Sequence, residues 1–126
     1  MNQEVDVIYN RYGEPILRLL DNGRFVGFDG KSYGFLDGQN LYNYNGQHVG
    51  WLENGIMRDH DSACVGFGEN PTDLPRPILP FKQFKPFPAF IEFEPFRPFK
   101  QFVPFKPFKK FSWSELEPKN LFSQTL

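Results

Sequence analysis

Hydrophobic and turn-forming residues repeat along the first seventy residues with a period of about sixteen. The turn residue Gly13 recurs as Gly30, Gly46 and Ser62, at spacings of 17, 16 and 16. Aromatic or β-branched runs precede the turns, and further turn dipeptides separate the units. Turns about every eight residues leave room for strands but not for a helix. The pattern predicts an all-β domain over residues 5–70, with about eight short antiparallel strands in four hairpin repeats that close into a shallow pseudo-four-fold ring or barrel.

The turns and strands carry further repeat landmarks. Asp29-Gly30 and Asn45-Gly46 are dipeptides typical of type I′ turns. Glycine inside a strand weakens pairing, so the strand glycines indicate either a repeated bulge or a lining kept open for another chain or ligand. We expect the aromatic landmarks on one face and Ile16, Tyr33, Val49 and Val65 on the other, by strand alternation. The landmarks are the turn residues Gly13, Gly30 and Gly46, the strand residues Gly34, Gly50 and Gly66, and the aromatic residues Phe35, Trp51 and Phe67.

The later part of the chain repeats with a different period. A phenylalanine stands at every third residue, often preceded by Pro and followed by Lys or Arg. A strand repeats every two residues and an α-helix every 3.6, so neither gathers these side chains on one side. Polyproline II repeats every three residues and accepts proline, so we predict it over residues 80–108, with a bend near residues 88–94. The row consists of Phe81, Phe84, Phe87, Phe90, Phe93, Phe96, Phe99, Phe102, Phe105, Phe108 and Phe111.

This phenylalanine row is the predicted docking and assembly site of the tail. Burying one phenylalanine is worth about 1.5–3 kcal/mol, so the row is not expected to remain in water. A straight tail of about thirty residues spans about 95 Å, whereas a seventy-residue domain is about 30 Å wide. The tail is therefore expected to bend around its own domain, to cross neighbouring subunits or to bundle with other tails. We predict a homo-oligomer.

Charge supports a docked tail. The net charge of −1 combines an acidic part, residues 1–70 with five Lys and Arg against ten Asp and Glu, and a basic part, residues 71–111 with eight against three. Opposite charges favour docking of the tail on the domain, within a chain or between subunits. Nucleic acid as the partner of the tail is the weaker interpretation.

Composition and the N-terminal residues indicate the cellular compartment of the protein. The 126 residues contain 16 Phe and 12 Pro, and no apolar run approaches the length of a membrane span. The single Cys64 excludes an internal disulfide and suits a reducing environment. The N-terminus, MNQE, lacks the basic start and the apolar core of a secretory signal peptide, so no signal peptide is expected. We expect a cytoplasmic protein that is not transmembrane.

The stretch Tyr44–Asp61, YNGQHVGWLENGIMRDHD, resembles the signature of the four-fold β-flower family, small and mostly bacterial proteins of unknown function. The resemblance implies a shallow pseudo-symmetric all-β ring, and similar members end in Pro- and Lys-rich tails with an apolar residue at every third position. It supplies no catalytic residues. Ser62 departs from the turn glycine expected in the last repeat, so a looser hairpin is expected there. The flower shape also resembles lipid-binding tubby and scramblase-like barrels, which is an analogy of fold alone.

Candidate catalytic and metal chemistry is sparse. His48 and His60 are the only histidines, and Asp59-His60-Asp61 suggests metal ligation. Adjacent strand residues point to opposite faces, so we expect no metal site. Cys64 is expected to be buried as a small apolar group, and no motif pairs it with a histidine as a nucleophile. We predict no catalytic residues and no cofactor.

The chain thus divides into a four-repeat domain (residues 1–70), a tail (71–111) and a C-terminal segment (112–126). The predicted function is a non-catalytic binding or self-assembly module, whose phenylalanine row docks on the β domain or on neighbouring subunits. The alternative is a protein that binds lipid, another elongated apolar ligand or a membrane surface, through an apolar ring interior or through the tail.

Overall fold

The computed structural model describes residues 2–124, and the hairpins close into an eight-stranded antiparallel barrel. Each strand pairs with the next along the chain, and the barrel closes where Tyr9 pairs with Phe67. The predicted all-β fold is confirmed. Residue 1 of the predicted domain and residues 125–126 of the predicted C-terminal segment lie outside the described residues. The strands are β1 (Glu4–Tyr9), β2 (Pro15–Leu20), β3 (Arg24–Gly27), β4 (Ser32–Asp37), β5 (Asn40–Tyr42), β6 (His48–Glu53), β7 (Ile56–Arg58) and β8 (Cys64–Phe67).

The four hairpin tips lie where the turn signals place them, but their turn type differs from the prediction. The Gly46 N–H donates to the carbonyl oxygen of Asn43. The φ angle of Gly46 is +80°, whereas the φ angle of Asn45 is not positive. Each tip is therefore a three-residue loop that ends in a left-handed residue, and the type I′ prediction is wrong for Asp29-Gly30 and Asn45-Gly46. The longer loop is favoured because the Asn43 side-chain oxygen accepts hydrogen bonds from the backbone N–H groups of Asn45 and Gln47.

A bulge recurs at the same place in every repeat. In the third repeat, Leu41 pairs with Gly50 and the next residue, Tyr42, pairs with His48, so Val49 is left between the two pairs. The strand glycines lie directly beside these bulges, which agrees with the bulge interpretation. The bulged residues are Ile16, Tyr33, Val49 and Val65.

The bulges decide which side chains face the barrel interior. Val49 and Val65 belong to the inner core, whereas Phe67 belongs to a second cluster on the outer face. Val49 and Trp51 are two residues apart, so regular alternation would place both on one face, and our argument from alternation was wrong. The extra residue at the bulge reverses the alternation and moves Trp51 to the outer face. The aromatic landmarks and the bulged residues therefore do lie on opposite faces.

A short helix, α1 (Pro118–Phe122), fills the interior from the end of the barrel that carries the hairpin tips. Leu121 and Phe122 lie in the inner core together with side chains of the strands. A Cβ on Gly34 would collide with the ring of Phe122, so glycine is needed for this approach. The strand glycines of the barrel interior thus make room for α1, which is part of the same chain. The apolar ring interior that was proposed as a lipid site is occupied by α1.

No helix in residues 2–124 is long and apolar enough to cross a membrane.

Candidate functional site: the phenylalanine belt

The tail encircles the barrel and contacts the four hairpin tips in order. We call residues 79–111 the belt and divide it into four segments, 79–87, 88–96, 97–105 and 106–111. One backbone N–H in each segment donates to the carbonyl oxygen of a tip residue, and these donors are nine residues apart. The bonds are Gln83 to Gly13 (2.8 Å), Glu92 to Gly30 (2.9 Å), Gln101 to Gly46 (2.8 Å) and Lys110 to Ser62 (3.1 Å).

The tip residues have a second role that the sequence analysis missed. A Cβ on Gly30 would collide with the carbonyl oxygen of Phe90, and one on Gly46 with that of Phe99, so glycine lets the belt approach the tips. Ser62 replaces glycine at the fourth tip with a φ of +63°, and its hydroxyl donates to the carbonyl oxygen of Pro107 at 2.8 Å. Ser62 is fully buried and anchors the belt, so the expectation of a looser hairpin is not supported.

The side chains of these backbone donors make further hydrogen bonds to the same repeats. Glu92 accepts the Ser32 N–H at 2.8 Å, and Gln101 accepts the His48 N–H at 2.9 Å. Pro15 occupies the equivalent strand position of the first repeat and has no N–H, so Gln83 instead donates to the carbonyl oxygen of Tyr12 at 3.1 Å. Each segment thus recognises mostly main-chain groups of its repeat.

Five lysines of the belt pair with three carboxylates that recur every sixteen residues on the barrel. Each carboxylate lies seven residues beyond a hairpin tip and two residues beyond an aromatic landmark. This is the predicted docking of basic tail on acidic domain, and it occurs within one chain. The pairs are Lys100 with Asp37 (2.5 Å), Lys82 and Lys85 with Glu69 (3.5 and 2.7 Å), and Lys106 and Lys109 with Glu53.

Basic side chains also cover the outer aromatic rings. The guanidinium of Arg97 lies 4.9 Å from the ring centre of Phe35, and Lys106 Nζ lies 5.4 Å from that of Trp51. Lys82 Nζ lies 5.6 Å from the ring of Tyr9, which stacks on Phe67. The aromatic landmarks therefore form the track on which the belt runs.

These contacts keep the groups charged. Burial raises the pKa of Glu69, but hydrogen bonds from Lys85 and Tyr9 outweigh it, and the pKa is lowered overall. The hydrogen bond to Asp73 raises the pKa of Lys109. The ion pairs between belt and barrel therefore persist across neutral pH.

The second segment departs from the basic pattern because its partner does. Leu20 occupies the position that is acidic in the other three repeats, and Ile91 occupies the belt position of Lys82, Lys100 and Lys109. Leu20 and Ile91 line the same cleft, together with Arg24. The interruption predicted near residues 88–94 thus matches an apolar position on the barrel, and it favours a single register of the belt.

The phenylalanines do not make these contacts. Their relative exposures run from 73% at Phe111 to 102% at Phe90, so the row faces outward along the whole belt. The predicted site residues are thus brought into one row, but the prediction that this row docks on its own β domain is corrected. Backbone, lysines and glutamines occupy the inner side of the belt, because only they match the exposed carbonyls and carboxylates of the barrel.

A stacked histidine pair lies under the third and fourth segments. His48 Nδ1 is 3.0 Å from His60 Nε2, and His48 Nε2 is 3.0 Å from Asn40 Oδ1. The asparagine oxygen can only accept, so Nε2 donates and Nδ1 accepts the proton of His60. Burial, then the neighbouring His60 and Lys106, lowers the pKa of His48 to about 4. The pair is neutral at physiological pH.

Cys64 is fully buried in β8, and burial raises the pKa of its thiol to about 12. Its Sγ contacts the carbonyl oxygen of Gly66 at 3.6 Å. Within residues 2–124, no group of three or more His, Cys, Asp or Glu side chains is arranged to hold a metal ion.

Sequence reasoning also missed the residues that brace the tips. Asn10, Asn43 and Asp59 begin the first, third and fourth loops, and each accepts backbone N–H groups two and four residues ahead. All three are buried. Their spacing follows the repeat, and this spacing is the signal that could have found them.

A family model described as 4-fold beta flower protein matches residues 6–122, a range that covers the barrel except the first two residues of β1, the whole belt and α1. No curated protein and no solved structure matches the chain. The resemblance seen in the sequence is confirmed.

Proposed function

The chain belongs to the 4-fold beta flower family, and with that fold as the premise we propose that it is a non-catalytic module that binds further copies of itself through the phenylalanine belt. The observation that carries the proposal is the outward orientation of all eleven phenylalanines, each at least 73% exposed. At about 150–250 Å² per phenylalanine, the row presents on the order of 2,000 Å² of apolar surface. The largest apolar patch of a typical monomer is several times smaller.

A second copy fits this surface better than a charged partner does. Five belt lysines that would attract an anionic membrane or an acidic protein already pair with Asp37, Glu53 and Glu69 of the same chain, and Arg97 pairs with Glu94 of the belt. Among the described belt cations Lys110 stands outside these pairs, so the outer side presents an apolar row with little free charge. Every copy carries an identical row, so each molecule supplies the complementary surface of the next.

The spacing of the row suits interdigitation. We propose that the belt is in the polyproline II conformation, in which residues three apart are about 9 Å apart. A notch of about 330 Å³ lies between Phe96 and Phe99, lined also by Arg97, Pro98 and Lys100. A cavity of about 150 Å³ is enough for benzene, so the notch has room for a phenylalanine ring from another copy.

The experiment is a mass measurement by light scattering after gel filtration of the full-length chain. We expect a mass several times 14.8 kDa at tens of micromolar. The triple variant Phe96→Ser, Phe99→Ser, Phe102→Ser should lower that mass. The control variant Val5→Ser, Tyr12→Ser, Leu74→Ser removes exposed apolar side chains outside the belt and should leave the mass unchanged. A monomeric full-length chain, or equal effects of the two triple variants, would contradict the proposal.

A flotation arm distinguishes membrane binding from assembly. The full-length chain and the Phe96, Phe99, Phe102 variant are each mixed with vesicles of neutral lipid and with vesicles containing one-third phosphatidylserine. Assembly without lipid and no co-flotation of the full-length chain support the proposal. A chain that is monomeric without lipid but floats with vesicles, and loses flotation in the variant, would replace self-assembly by lipid binding.

A further inference from the structure

The four belt segments face four different directions around the barrel. Each segment is fixed to one hairpin tip by an equivalent backbone bond, at Gly13, Gly30, Gly46 and Ser62. The tips belong to successive hairpins of a closed barrel, so they are distributed around its whole circumference. Building on the proposed self-assembly, we infer that each copy carries up to four separate contact sites for other copies, one on each belt segment, and that assembly is open-ended.

The convex shape of the belt limits what one neighbour can cover. Two convex rims meet along a short arc, so a second copy reaches one segment and leaves the others exposed. The first three segments carry three phenylalanines each, and the fourth carries Phe108 and Phe111. Three phenylalanines present on the order of 500 Å², which approaches the roughly 800 Å² that each partner buries in a standard interface.

Growth follows from the unused segments. Two identical segments can pair about a two-fold axis, which satisfies both of them and closes that single contact. Three segments per molecule stay exposed after one such pairing, and each can pair again. Several weak sites on one particle also give avidity, since each further contact is intramolecular once the assembly has formed. A closed dimer would require one neighbour to reach the far side of the barrel, which a convex rim prevents.

The test reduces the number of segments. In a single-segment chain, serine replaces every belt phenylalanine except Phe99, Phe102 and Phe105. We expect the full-length mass to rise steadily with concentration, without a plateau, in sedimentation velocity. The single-segment chain should stop at twice the chain mass of 14.8 kDa. A matched chain that loses only Phe99, Phe102 and Phe105 should still grow beyond a dimer.

The outcomes separate this inference from the proposed function. A full-length oligomer of one fixed mass would overturn the four-site inference and leave self-assembly standing. A single-segment chain that stays monomeric, or that grows past a dimer, would also overturn the four-site inference. A monomeric full-length chain would overturn both. A second single-segment chain that keeps only Phe81, Phe84 and Phe87 repeats the test at another tip, and tryptophan fluorescence, to which Trp51 and Trp113 contribute, reports that each variant is folded.

Discussion

The barrel and the belt use phenylalanine in opposite ways. Phe25 and Phe122 pack against each other in the barrel interior, with ring centres 5.3 Å apart, whereas Phe102 of the belt is 96% exposed. Both regions have a strict hydrophobic repeat, so the repeat alone does not distinguish them. A periodic sequence places like side chains on one side of a segment. Whether that side is buried depends on which groups the backbone and the remaining side chains of the segment can bind.

The two regions also differ in how their backbones are satisfied. Barrel strands pair their N–H and C=O groups with each other, while each belt segment offers only one or two backbone donors to the tip loops. The belt therefore depends on ion pairs and cation–ring contacts at its inner side, which are individually weak in water.

The largest expected effect contrasts two phenylalanines. Phe122→Ala removes a buried ring from the core and should lower the free energy of unfolding by about 3–5 kcal/mol. Phe102→Ala removes an exposed ring and should change it by no more than about 0.5 kcal/mol. Urea unfolding at low protein concentration, where assembly contributes little, measures both. Similar losses in the two variants would mean that the belt row is buried in the folded chain.

The second prediction compares two turn glycines. Gly46→Ala places a Cβ against the carbonyl oxygen of Phe99 at a φ of +80°, whereas Gly38→Ala meets nothing within 4 Å at a φ of +64°. Both variants carry the left-handed strain of about 1–2 kcal/mol, but only Gly46→Ala should also release the third segment. Limited proteolysis between residues 97 and 105 should accelerate several-fold in Gly46→Ala alone. Equal proteolysis of the two variants would show that the tip does not hold the belt.

The third prediction concerns pH. His48 has a pKa of about 4 in the folded chain against about 6.5 in an unfolded one. The unfolded chain binds more protons in that window, so folding stability falls as the pH is lowered from 6.5 towards 4, by up to about 1.4 kcal/mol per pH unit. The pKa of His60 is also lowered, mainly by burial, although Asp59 and Asp61 oppose this. The positive charge of Lys106 also lowers the pKa of His48, because it disfavours the charged imidazole.

Unfolding of His48→Asn beside the native chain checks this assignment. The stability difference between the two should shrink as the pH falls through the window, because the variant lacks the titrating imidazole. A constant difference from pH 7 to pH 4 would refute the role of His48.

The smallest effect is expected at the ion pairs. Glu53→Gln removes the carboxylate partner of Lys106 and one of the two carboxylate partners of Lys109, which keeps its ion pair with Asp73. Each such half-buried pair near the surface is expected to be worth about 0–1 kcal/mol. Hydrogen exchange of the fourth segment should become modestly faster, and 0.5 M NaCl should produce a similar change in the native chain because salt screens the pairs. Asp21→Asn, which also removes one negative charge but at an exposed carboxylate outside the ion pairs between barrel and belt, serves as the charge control. A fourth segment that exchanges identically in Glu53→Gln and native chains would place its anchor elsewhere, at Ser62 or at Arg58, whose guanidinium donates to the carbonyl oxygen of Lys110 at 3.1 Å.

Much of the barrel was predictable and much of the belt was not. Turn glycines and short strands were enough to indicate four hairpins, because hairpin geometry is local. A repeated bulge beside the strand glycines was one of the two predicted alternatives, but the reversal of side-chain alternation that it causes between Val49 and Trp51 was not predicted, since strand pairing is a relation between two segments. The period of three in the belt was visible, but the nine-residue period that relates Gln83, Glu92 and Gln101 was overlooked. The interruption near residues 88–94 was interpreted as a bend, although Ile91 within it lines the same cleft as Leu20.

The four hairpins, their tips and a tail with all its phenylalanines on one side follow from local sequence, because these properties depend on residues close together in the chain. The direction in which the phenylalanine row faces depends on the folded barrel. Closing the barrel puts Asp37, Glu53 and Glu69 on its outer face and the tip carbonyls within reach of the tail. These polar partners take the backbone and the lysines, and with α1 already in the barrel interior the phenylalanines are left facing outward.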